Sequence, residues 1–208
     1  MNVVTEGHLL MKQILYWSHY EPAVQFEASC CAIRTPKGVL LIDPLPMTEK
    51  ALCQLESFGT PNAILITNGN HQRASLELKG RWNIPILAGE GAQRELTADV
   101  WLQEGQKVLD TLNVLHLPGA GLGEIAVTQS DVFCVFGDFL IPTPTPVRLE
   151  LLPEKYCENP QLARASLRRL SNLNAPYLLF AHGAPITGNG SKYLQQLLEV
   201  SHKSHENL

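Results

Sequence analysis

The chain has 208 residues, 45% of them hydrophobic and 17% charged, with 16 Lys and Arg against 20 Asp and Glu for a net charge of −4. That length supports a single domain over residues 1–208 with a sizeable core, and the composition excludes a disordered chain. The absence of a basic excess argues against nucleic acid as a partner, and no apolar run reaches the ~18–20 residues of a membrane span.

Strands come first. Gln13–Trp17 and Val24–Ile33 are rich in β-branched, aromatic and cysteine positions, and Pro36-Lys37-Gly38 is a turn. Val39–Ile42 is a continuous apolar run that ends at Asp43-Pro44, the pattern of a strand buried on both faces. Thr48 caps a helix carrying Leu52, Leu55 and Phe58 at helical spacing, and Gly59 stops it. Ala63–Ile66 is the next buried strand. His71–Leu78 reads as helical, Pro85–Leu87 as a short strand, and Gln93–Leu96 as a short helix.

A strand-rich stretch follows at 107–109, 113–117, 125–128 and 132–136. Pro142–Pro146, with proline at every other position, reads as a stiff extended loop. Ala163, Leu167, Leu170 and Leu173 mark a helix, Tyr177–Phe180 a strand, and Leu194, Leu197 and Leu198 a last helix. The order predicts an α/β fold of two mixed sheets with helices outside. Cysteines at 30, 31, 53, 134 and 157 include no C-x-x-C and leave an odd one. This argues against a disulfide framework or a zinc ribbon and for a reduced, cytoplasmic setting. Adjacent Cys30 and Cys31 in one strand face opposite sides and read as packing.

Five segments, each following or ending a predicted strand, carry the candidate chemistry. They are Leu41-Ile42-Asp43, Ile66-Thr67-Asn68-Gly69-Asn70-His71-Gln72-Arg73, His116–Gly123, Phe136-Gly137-Asp138 and Ala181-His182-Gly183-Ala184-Pro185. In order and spacing they resemble the metallo-β-lactamase superfamily over roughly residues 12–205. The resemblance implies a four-layer αββα sandwich with its site at one edge of the two sheets. It also implies a metal centre that lowers the pKa of a bound water to about 7.

The ligand positions depart from that pattern. Where the resemblance implies the H-x-H-x-D-H ligands stand Asn68, Asn70, Gln72 and Arg73, and Ala120 stands after Pro118-Gly119. Asp138 and His182 alone match. A guanidinium about 4 Å from a divalent ion is repelled by roughly 8 kcal/mol at an effective dielectric of 20, and arginine keeps its proton. The leading expectation is therefore a dismantled dinuclear centre with no metal, an Arg73–Asp138 pair in its place, and a small anionic molecule held by Asn68, Asn70, His71 and Arg73.

A hydrolase acting on an ester, lactone or similar small substrate is the alternative, with Asp138 and His182 as its catalytic residues. It takes two forms. In one, His71, Asp138 and His182 hold one zinc or other divalent metal. In the other, metal-free form, His182 is a general base and Arg73 stabilises an oxyanion. A third reading is purely structural. His71 lies one position off the ligand register, so in an extended loop it points away and serves as a solvated or capping residue; a local twist brings it back. His182 bonds a carbonyl or Asp138 in its structural reading, and Asn68 and Asn70 suit a turn. Asp43 reads as structural, bonding the loop near Thr67 or Asn68. His116 lies too far from position 120 to ligate, and His8, His19, His202 and His205 have no partners at ligand spacing.

Overall fold

The computed structural model describes residues 3–22 and 26–205, with side chains through 201. Strands β1 (His8–Met11), β2 (Ile14–Glu21), β3 (Phe26–Thr35) and β4 (Gly38–Ile42) form an antiparallel run. Helix α1 (Glu49–Phe58) then leads to β5 (Pro61–Ile66), and α2 (Ser75–Trp82) to β6 (Ile86–Gly89) and β7 (Val100–Leu102). β4 to β7 are parallel, and the seven strands lie side by side in chain order.

The second sheet contains β8 (Lys107–Val108), β9 (Leu112–His116), β10 (Ile125–Gln129) and β11 (Phe133–Phe136) as an antiparallel run. A separate hairpin, β12 (Leu140–Pro144) and β13 (Val147–Leu151), follows, then α3 (Pro160–Ser166). Strand β14 (Tyr177–Phe180) adds parallel to β11, and α4 (Gly190–His205) closes the chain.

Three apolar clusters define four layers. Alternate residues of β3, β4 and β5 (Cys30, Val39, Leu41, Ile64, Ile66) pack against α1 and α2. Their neighbours Cys31, Leu40, Ile42 and Leu65 face Val114, Val127 and Val135 of the other sheet. That sheet's far side packs Phe136, Leu178 and Phe180 against α3 and α4. The period of two puts every second residue of each strand in a different layer, which is why these strands read as unbroken apolar runs. In α1 the Thr48 hydroxyl accepts the Ala51 N–H at 3.4 Å and Gly59 ends the helix. The cap contributes about 1 kcal/mol, and burial of Leu52, Leu55 and Phe58 contributes roughly 1.5–3 kcal/mol each.

Several expectations are corrected. Residues 71–78 are not one helix: a 3₁₀ turn, Gly69–His71, is separated from α2 by Arg73 at φ 39°. Pro142–Pro146 is the β12–β13 hairpin and its turn; prolines are tolerated there because a two-stranded sheet leaves each strand an unpaired edge. The segment near Gln93 holds only a 3₁₀ turn, Glu90–Ala92. The helix marked by Ala163 to Leu173 is α3 followed by a 3₁₀ turn, Leu167–Leu170. The short strands β1 and β7 had no sequence signal. Residues 24 and 25 of the expected second strand, and the side chains of His202 and His205, lie outside the described residues. Among the described residues no helix is long and apolar enough to cross a membrane. All five cysteines are free, with 30, 31 and 134 buried.

Candidate active site

The parallel strands β4, β5, β11 and β14 end on the same side of the molecule, and β10, antiparallel to β11, begins there. The loops after those ends carry Asp43, residues 67–73, Asp138 and His182, and Glu124 directly precedes β10. At this corner the sheets are joined: Ser29 donates to the Ala181 carbonyl at 2.8 Å and Gly183 to that of Glu27 at 3.1 Å. Such strand ends are the usual place for a site in an open α/β sheet.

Asp43 anchors the inner side. Its carboxylate accepts the Thr67 N–H at 2.8 Å, the Thr67 hydroxyl at 2.5 Å and His71 Nδ1 at 2.9 Å. The structural role expected for Asp43 toward Thr67 is therefore found, with His71 added to it. Burial pushes the Asp43 carboxyl up, but the charges of His71 and Arg73 and the bonds from His71 and Thr67 outweigh it, and its pKa lies below the usual value.

His71 is buried, not solvated, and its Nε2 lies 3.3 Å from Asp138 Oδ1. The reason for this correction is the 3₁₀ turn. Residues three apart eclipse in such a turn, so His71 returns to the side of Asn68 where an extended segment would send it away. Burial and Arg73 depress the His71 pKa, yet Asp43 and Asp138 on either side carry it up to about 9.

Asp138 is bonded from three directions. Its Oδ1 faces His71 and, at 3.4 Å, His182 Nε2, and its Oδ2 accepts from Asn68 Nδ2 at 3.1 Å. Burial raises its pKa, but the charge and hydrogen bond of His71, with the charges of His182 and Arg73, leave it far below the carboxylate range. His182 donates Nδ1 to the Glu27 carbonyl at 3.2 Å. Burial, His71 and Arg73 hold its pKa below 6.5 against the pull of Asp138.

The expected Arg73–Asp138 pair does not form: no ion pair joins them within 4 Å among the described residues. His71 occupies the place beside Asp138. The planar guanidinium instead satisfies backbone carbonyls of Ser29 at 2.7 Å, Asp43 at 3.0 Å and Ala181 at 3.3 Å, tying β3, β4 and β14 together. Asn68 is also turned inward. Its amide donates to Glu124 Oε2 at 2.9 Å as well as to Asp138, and its carbonyl accepts the Asn70 N–H at 2.9 Å. Both of its protons are engaged, so Asn68 positions Asp138 and has none left for an outside ligand. Asn70 is exposed on the cleft wall.

Glu124 was not singled out from sequence. It is buried, accepting from Asn68, from the Gly121 N–H and from the Phe139 N–H. Full burial and the Asp138 charge raise its pKa to about 8 despite those donors. Gly137 makes room for it, since a Cβ there would lie 2.4 Å from Glu124 Oε1 and 2.5 Å from the Thr67 hydroxyl. The available signal was a carboxylate directly abutting the apolar run that begins at Ile125. His116 bonds the Leu102 carbonyl away from the cluster, and Ala120 packs in the apolar layer under α3. His19, given no role from sequence, lies on the cleft wall 3.6 Å from Glu21.

One ligand atom from each of His71, Asp138 and His182 lies within 4.8 Å of the other two. Donors about 2.1 Å from a tetrahedral zinc stand about 3.4 Å apart, and the two edges through Asp138 measure 3.3 and 3.4 Å. Both histidines bind a protein acceptor through Nδ1 and present Nε2 to Asp138, as metal-bound histidines do. The three residues therefore fit one divalent ion. A cleft of about 480 Å³ opens over them, with Asn70, Arg73 and His19 on its walls.

The family described as the metallo-beta-lactamase superfamily matches residues 8–201. Among solved structures, the DIM-1 metallo-beta-lactamase superposes with a TM-score of 0.74 at 13% identity, covering 96% of this chain and 99% of its own. The metallo-beta-lactamase from Hirschia baltica gives 0.73 at 13%, covering 96% and 98%. That from Pontibacter korlensis gives 0.74 at 14%, covering 95% and 98%. At such identities the likeness establishes the fold alone. A search of curated proteins finds no match.

Proposed function

The chain belongs to the metallo-β-lactamase superfamily, and we propose that within it the protein is a hydrolase in which His71, Asp138 and His182 hold a single divalent cation, zinc first. One observation carries this reading. The Glu27 carbonyl can only accept, so His182 Nδ1 holds a proton; burial keeps the pKa of the ring below 6.5, and the neutral ring turns its Nε2 lone pair to Asp138 Oδ1, another acceptor, at 3.4 Å. Two facing acceptors are stabilised by a cation between them. A bound metal of this kind supplies Lewis acidity and a water of lowered pKa.

The chain's own residues prepare the site. Asp43 holds the Nδ1 proton of His71, so the proton a cation would displace is the one on Nε2, and the Glu27 carbonyl fixes the His182 ring in the same sense. Asn68 fixes the far oxygen of Asp138, leaving Oδ1 toward the histidines. Gln72 and Ala120 supply no second set of ligands, Asn68 is engaged, and Arg73 faces carbonyls, so the site is mononuclear. The substrate class that fits is a small ester, lactone or similar carbonyl compound, admitted through the 480 Å³ cleft.

A metal-free pocket for a small anionic molecule is the second reading, favoured by Arg73 and the protonated His71 beside the cleft. Those two cations are balanced by Asp43 and Asp138, so no surplus positive charge remains to draw an anion. Elemental analysis of tag-free protein beside His182→Ala separates the readings. About one equivalent of metal in the parent and a large loss in the variant is the expected result. Metal far below one equivalent in both retires the hydrolase and leaves the anion pocket.

A further inference from the structure

Beside the metal-type cluster lies a second cleft of about 490 Å³ of different character. We propose that it binds a neutral apolar group, the acyl part of the substrate; in assigning that part it rests on the hydrolase reading. Its walls are the end of β2 and start of β3 (Tyr20, Phe26), the β12–β13 hairpin (Pro142, Pro144, Val147) and the loop from Gly183 to Ile186.

Continuity with the cluster is direct. The Phe26 ring packs edge-on against His182 with centroids 6.1 Å apart. Glu27, on the wall, holds His182 through its carbonyl, and Gly183 follows His182 in the chain. Glycine at 183 lets the β12–β13 hairpin pack directly beside His182: at φ 87° a Cβ would stand 2.8 Å from the Pro142 ring and 3.5 Å from Phe26. A substrate carbonyl at His182 therefore has an apolar recess next to it.

The lining sets the ligand chemistry. Aromatic, proline and aliphatic faces dominate, and Glu27 is the one charged residue among the described lining residues. A carboxylate with no cation among the described lining residues disfavours a phosphate, a sulfate or a second carboxylate, so the group is uncharged. The volume is that of a small-molecule site and takes a phenyl ring or a medium-length acyl chain. Burial of each added methylene is favourable, so affinity rises with chain length until the recess is filled.

The test has two arms, both on the full chain with Val147→Glu and Ala184→Glu. Both positions are exposed on the wall, so a glutamate there buries no charge. In the first arm the zinc-loaded protein is assayed on p-nitrophenyl acetate and octanoate. Octanoate is expected to be favoured in kcat/KM over acetate by tenfold or more, and the variants to lose that preference. In the second arm N-phenyl-1-naphthylamine, a neutral apolar fluorophore, is titrated by fluorescence. The parent and Asp138→Ala are expected to bind it alike, and Val147→Glu about tenfold more weakly.

Equal binding to Val147→Glu, or no binding to the parent, overturns the proposal. So does ester hydrolysis without a chain-length preference, and that outcome leaves the hydrolase standing. Binding as expected with no ester turned over removes the hydrolase reading and supports the apolar site.

Discussion

The turn after β5 and the loop after β14 each bring one histidine to the same carboxylate oxygen, and they hold it by different physics. His71 is buried between Asp43 and Asp138, and its pKa rises to about 9. His182 keeps a quarter of its side chain exposed, is anchored by a carbonyl dipole, and has a lowered pKa. Burial depresses both, so burial does not decide the sign. Two carboxylates against one do, because each hydrogen-bonded anion stabilises the imidazolium and a carbonyl stabilises it far less. The site thus pairs a proton-holding histidine with one that presents a lone pair.

The largest expected effect comes from breaking the inner anchor. Asp43→Ala removes the partner of a buried imidazolium and of the Thr67 hydroxyl, and it is expected to cost about 3–5 kcal/mol in urea denaturation. A loss below about 1 kcal/mol would mean that Asp43 does not hold His71 charged.

Next comes pH. The folded pKa of His71 lies above its unfolded value of 6.5. Its stabilisation is therefore complete below pH 6.5 and is lost as pH rises through about 9, by at most about 3 kcal/mol. Glu124 acts in the same direction between about 4.5 and 8. His182, with a lowered folded pKa, acts oppositely: its contribution is present above pH 6.5 and falls as pH drops below it. Denaturation midpoints of metal-stripped parent and His71→Gln between pH 5 and 10 check the contrast. The parent should lose its advantage over the variant on the alkaline side, and an unchanged difference across that range would contradict it.

The smallest effect on folding is expected from His182→Ala, which removes one hydrogen bond to a carbonyl at a half-open position and should cost about 1 kcal/mol without metal. The same substitution should abolish any thermal shift on adding zinc. A large destabilisation without metal would place His182 with His71, as a structural residue.

Much of this was legible in the chain. Val39–Ile42 and Ala63–Ile66 announce strands covered on both faces, because a residue with apolar surroundings on either side must itself be apolar. The same runs end at Asp43 and at Thr67-Asn68, which places the site. Asp43 was readable as a support because the family resemblance implies a supporting Asp one step past that buried strand. Glu124 was not, because what makes it part of the site is an amide 56 residues away and a glycine that leaves room for it.

What the sequence determined by itself is two mixed sheets with helices outside, which follows from local periodicity; the four layers and a site at one edge were implied by the resemblance that the order of five strand-end segments carries. Tertiary structure alone decided which groups meet. Residue 71 falls off the ligand register in an extended loop and returns in a 3₁₀ turn, a rotation of the backbone that residue types at 68–73 leave open. Arg73, the natural partner of Asp138 by charge, goes to three carbonyls, one on β3 and two just past the ends of β4 and β14. Those carbonyls converge only when the two sheets are packed together, and a planar fork of donors satisfies all of them at once.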